Sequence, residues 1–131
     1  IVVEVGVPHL VVGAELEDDA LFAEVAPVLR RHPLLGPDGA NVSFVNRLMD
    51  GAIDIRTYER GVEGETLCCG SAVVAAGVIE MAGRDVDRVR VRAASGDSLT
   101  VEDLGTGFGL TGPARTIAEI KPVASEFLTV P

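Results

Sequence analysis

Two adjacent cysteines, Cys68 and Cys69, are the only thiols of this 131-residue chain. They stand just before a run of small apolar residues that reads as a buried helix, because no face of it suits water. The first amides of a helix lack intrahelical partners and its dipole favours negative charge there, so a thiol at that point is expected to ionise more readily than usual. Such a thiol can serve as nucleophile, metal ligand, redox sensor or general acid/base. Zinc normally takes four ligands, and two cysteines with two histidines show no ligand spacing, so no metal is expected. Neighbouring cysteines do not form a C-x-x-C redox motif either. The plain alternative is that one of the pair is a small buried hydrophobe, and periodicity does not say which. His9 taken alone reads as structural or surface, and Asn41 as a loop residue tolerant of unusual backbone angles.

The elements around these groups follow from period and turn chemistry. Ile1 to Val5 and Leu10 to Ala14 are β-branched runs interrupted by Gly6 and Pro8, with His9 at the break: two strands or one broken one. Glu17, Asp18 and Asp19 offer N-caps for a helix over Ala20 to Arg31, and Pro27 predicts a break near Ala26 with a restart. Asn41 to Leu48 and Ala52 to Glu59 alternate around an Asp50, Gly51 turn, an antiparallel hairpin that carries Asn41 to the end of the sheet where Glu59 and Arg60 lie. The apolar helix is expected over Cys69 to Met81, stopped by Gly83. Val86 to Arg92 and Ser98 to Glu102 form a second hairpin. Gly107 to Leu110 and Arg115 to Ile120 read as two more strands around a Thr111, Gly112, Pro113 corner, and the tail from Lys121 shows no clear period. The fold class is therefore α+β: a mostly antiparallel curved sheet or barrel wrapped around one central apolar helix, in a single domain over residues 1–131.

A formal net charge of -9 argues against a nucleic-acid backbone or an anionic membrane as partner. No apolar run approaches the roughly 20 residues of a membrane span. Neighbouring cysteines cannot staple distant segments, which suits a reducing compartment, so a cytoplasmic protein is expected. The chain opens at Ile1 inside a strand-like run without methionine, from which a start further upstream is expected.

The run Tyr58-Glu59-Arg60-Gly61, Gly64-Glu65-Thr66-Leu67, Cys69-Gly70-Ser71 resembles the second catalytic motif of the diaminopimelate epimerase family. Four further segments match that family in order: Gly6-Val7-Pro8-His9, His32-Pro33-Leu34, Asn41-Val42-Ser43-Phe44 and Leu110-Thr111-Gly112-Pro113-Ala114. The resemblance covers this whole chain but only about the C-terminal half of the family's protein. It implies a cofactor-independent epimerase that inverts an amino-acid α-carbon with two cysteines on opposite faces of the substrate. One of the pair falls at Cys69, with Cys68 as a bland neighbour. Glu59 and His9 match residues that help set the thiols' protonation. Gly70 and Ser71 match the grip on the substrate α-carboxylate, and Arg60 and Asn41 match positions that bind the distal end of diaminopimelate.

Val7 replaces an asparagine of the family pattern, Glu63 is a one-residue insertion, and Ala72 replaces a glycine. The partner cysteine would come from an N-terminal half-domain. Two other readings stay open: a homodimer that faces two Cys69 thiols across one site as a minimal racemase, and a non-catalytic amino-acid-binding module of the same fold. A proline racemase or phenazine-type relative fits less well.

Overall fold

The computed structural model describes residues 1–14 and 18–121; the Glu17 cap candidate and the tail from residue 122 lie outside them. The strands β1 (Val2–Val5), β2 (Val7–Gly13), β3 (Asn41–Arg47), β4 (Ile53–Glu59), β5 (Gly64–Thr66), β6 (Arg88–Ala93), β7 (Ser98–Asp103) and β8 (Phe108–Thr111) form one sheet. Its order is β1-β2-β3-β4-β6-β7-β8, with β5 paired to β4. Five strand pairs are antiparallel, but β2–β3 and β4–β6 are parallel. Each parallel pair needs a crossover, and a helix supplies it: α1 (Asp19–Arg30) between β2 and β3, α2 (Gly70–Arg84) between β5 and β6.

Strand alternation assigns the two faces. Val11, Val45, Ile53, Ile55, Val89, Val91, Leu99 and Val101 pack with Ala72, Val73, Ala75 and Ala76 of α2. The opposite face carries Val42, Phe44 and Tyr58 against Phe22 and Ala26 of α1. The curled sheet brings α2 into contact with β1, β2, β3, β4, β6, β7 and β8. That helix is not buried on every side: Val74, Val78 and Ile79 are half-buried and Ala82 is exposed. Gly77 is the point of closest approach, since a Cβ there would stand 2.7 Å from Val101 Cβ.

Several expectations are corrected. Gly6 turns the chain with φ 71°, giving two antiparallel strands, and His9 lies inside β2 instead of at a break. Asp18 caps α1 through Oδ1, which accepts from Ala20 and Leu21 N–H, and the helix runs unbroken through Pro27. A mid-helix proline costs about 3 kcal/mol, a loss offset by packing Phe22 and Ala26 into the sheet on the N-terminal side and Leu29 beyond it. α2 continues past Gly83 to Arg84 because Asp85 adopts the left-handed cap (φ 54°, ψ 50°), a conformation a short polar side chain tolerates. Arg115 to Ile120 is not a strand: Ile117 and Ile120 are 95% and 86% exposed, so the segment is not held against the sheet by its apolar side chains. The outward arginines of β6 are paired, Arg88 with Glu102, Arg90 with Asp50 and Arg92 with Asp54. No helix of the described residues is long and apolar enough to cross a membrane.

Candidate active site

Three polar side chains are set in a row by register alone. His9 of β2 lies opposite Asn41 of β3, and the β3–β4 ladder beginning at Val42 and Tyr58 carries Asn41 across from Glu59. Their alternation matches Val11, Val45 and Ile55, so the row faces α2 at one end of the sheet. Beside it, β4 changes partners. Ile53–Ile55 pair with β6 while Thr57–Glu59 pair with β5, and β5 leads directly to the start of α2.

Cys69 is the N-cap of α2, with extended backbone (φ -119°, ψ 108°) and no side-chain cap bond, so the first turn keeps unpaired amides. Cys69 is buried and Cys68 is exposed. The Cys69 Sγ lies 3.5 Å from Ser71 Oγ. Its pKa is raised, chiefly by burial and then by the neighbouring Glu59 carboxylate, which favours the protonated thiol and repels the thiolate; the Ser71 hydroxyl and Ala72 amide oppose this without reversing it. The expected lowering is thus overturned. A helix terminus favours the anion, but desolvation and a neighbouring carboxylate outweigh it. Cys68 is raised as well, by partial desolvation and by Asp97 and Glu59.

His9 has no solvent exposure, and among the described residues neither ring nitrogen has a partner in hydrogen-bond geometry. Burial lowers its pKa; the Val5 carbonyl, short of a formal hydrogen bond, and Glu59 oppose the shift, and Arg60 reinforces it. The imidazole is therefore neutral at pH 7. Asn41 Oδ1 accepts from the Arg60 backbone N–H at 2.7 Å. Arg60 is half-buried and, among the described residues, its guanidinium has no ion pair.

The structure therefore brings His9, Asn41, Glu59, Arg60, Cys69, Gly70 and Ser71 to one end of the molecule. Val7 shares the face of His9 two residues earlier in β2. A buried hydroxyl pair, Ser43 Oγ and Thr57 Oγ1 at 3.0 Å, lies one step below Asn41 and Glu59. Sequence reasoning missed it, although the same alternation that aligned Asn41 and Glu59 would have found it. Among the described residues no three or more His, Cys, Asp or Glu side chains are grouped to hold a metal. A cleft of about 670 Å³ lined by Val78, Met81, Asp85, Asp87 and Phe108 lies at the other end of α2, away from these groups.

The family model described as diaminopimelate epimerase matches residues 1–117. A diaminopimelate epimerase from Gemmatimonas aurantiaca is 51% identical over 74 residues, covering 56% of this chain and 27% of that protein. One from Mycolicibacterium smegmatis is 39% identical over 118 residues, covering 88% of this chain and 40% of that protein. The chain thus spans well under half the length of the relatives it matches. Among solved structures, the Bacillus anthracis phenazine biosynthesis protein of the PhzF family superimposes with a TM-score of 0.52 at 16% identity, covering 80% of this chain and 34% of that one. At that identity the likeness speaks for the fold alone.

Proposed function

The chain belongs to the diaminopimelate epimerase family, and from that premise we propose that it is the C-terminal half of a two-domain epimerase interconverting LL- and meso-diaminopimelate. In this reading a thiolate removes the α-proton from one face of the substrate carbon and a thiol returns a proton to the other. The two sulfurs exchange protonation states in each turnover, and no cofactor takes part. Cys69 supplies one sulfur; its partner is carried by an N-terminal half-domain outside these 131 residues.

The observation that carries this reading is the Cys69 thiol beside Glu59 at the uncapped start of α2. A thiol kept protonated by burial and a carboxylate is suited to giving a proton to a carbanion. Glu59 orients it, and the buried His9 imidazole lies in the same row of side chains. The Gly70 and Ser71 amides take the α-carboxylate, as helix starts take anions. Arg60 and the Asn41 amide take the distal carboxylate, for which a guanidinium fork is suited. Val7 cannot make the side-chain contact an asparagine would make, so the distal end depends the more on Arg60.

The test is to mix the chain with the N-terminal half and follow deuterium entry from solvent at the α-carbon of diaminopimelate. Exchange by the mixture, abolished by Cys69→Ser with ligand binding changed less than about threefold, is expected. Two folded halves without exchange would count against the epimerase, and Cys69→Ser without effect on exchange would count against Cys69.

A further inference from the structure

Glu63 reads as an insertion against the family motif, and it is one of two non-glycine residues at positive φ among the described residues, at 56°. A left-handed conformation is unfavourable for glutamate, so something must hold it there. Its carboxylate does so with four bonds. Oε1 accepts from Arg30 Nε at 2.9 Å, from Arg30 Nη2 at 2.7 Å and from the Gly61 N–H at 3.1 Å; Oε2 accepts from Arg31 Nη2 at 2.6 Å. Arg30 is itself anchored, with Nη1 donating to the Asp38 carbonyl at 2.8 Å and a side chain only 13% exposed. Gly39 packs so closely against it that a Cβ there would stand 2.1 Å from the Arg30 carbonyl oxygen. The Glu63 N–H also closes the turn onto the Glu59 carbonyl at 2.9 Å.

Arg60 sits inside this turn. Its own N–H is held by Asn41, and the next N–H, that of Gly61, is held by Glu63. Both peptide groups flanking the Arg60 Cα are therefore tied down while its guanidinium stays free of ion pairs among the described residues.

We propose that Glu63, clamped by Arg30 and Arg31, is a positioning residue that presents Arg60 to the distal anion of the substrate and sets affinity for that end without taking part in proton transfer. This rests on the epimerase reading for its substrate, but not for the clamp itself.

Two measurements separate them. In the 131-residue chain, Glu63→Ala and deletion of Glu63 should each speed hydrogen exchange of the Arg60 and Gly61 amides about tenfold or more, with unchanged far-ultraviolet dichroism. Unchanged exchange in both variants would overturn the clamp, whatever the chain catalyses. In the mixed halves, Glu63→Ala should raise KM for diaminopimelate about tenfold with kcat within about twofold, and should add nothing to Arg60→Ala. Additive losses, or equal loss of kcat, would overturn the positioning role. Absence of α-proton exchange in the unmutated mixture would instead refute the epimerase reading and leave the exchange result standing.

Discussion

Cys69 is held as a thiol by burial and by Glu59 acting in the same direction. Removing the carboxylate's charge should therefore lower its pKa. Glu59→Gln is expected to move the midpoint of the pH–rate profile for iodoacetamide alkylation of Cys69 to lower pH, with alkylation assigned by peptide mass. An unmoved midpoint would show that burial alone sets the shift. The sign for stability follows from linkage. A thiol whose folded pKa exceeds the ordinary 9.0 contributes fully below pH 9 and loses that contribution as pH rises through the folded value. Motif matching named seven candidate residues that the fold gathers at one end of the molecule, because it requires only residue types in order. It did not reveal the direction of the thiol's shift, which depends on how much water the sheet excludes from Sγ. His9 shows the same limit: an isolated histidine in a strand reads as ordinary, and only its complete burial in the row with Asn41 and Glu59 sets it apart.

At the scale of elements, α2 can approach β7 because residue 77 has no side chain. Gly77→Ala gains about 1 kcal/mol of helix propensity, yet the added Cβ would meet Val101 at 2.7 Å. Overpacking of this kind costs about 1–3 kcal/mol, so a net loss of stability is expected in urea unfolding. Val101→Ala in the same chain should recover part of it, and a Gly77→Ala variant as stable as the parent would show that α2 can slide. The hairpins β3–β4 and β6–β7 were legible because alternation and a turn lie next to each other in sequence. The parallel pairs were not, because β2 and β4 each find their parallel partner only after a crossover helix, and no local pattern records that choice. Pro27 misled for a related reason: its local cost is visible in sequence, while the packing of Phe22 and Ala26 that offsets it is long-range.

For the molecule as a whole, the proposed two-thiol mechanism makes a site with one thiol on one face of a planar carbanion incomplete. The isolated chain is expected to sediment as a monomer and to show no α-proton exchange with diaminopimelate. Exchange accompanied by a dimer would favour two copies sharing one site, although that arrangement would duplicate Arg60 and Asn41 at both ends of the substrate. By itself, the sequence determined the family, the α+β class and the apolar helix after the cysteines, and it nominated the candidate site residues, because these depend on residue types, spacing and neighbouring turns. The tertiary structure alone decided that His9, Asn41 and Glu59 form one row, that Cys69 is held as a thiol, and that Glu63 is gripped by arginines 32 and 33 positions away. Each of these depends on register between distant strands or on exclusion of water, and both are properties of the packed sheet and helices, absent from any local stretch of chain.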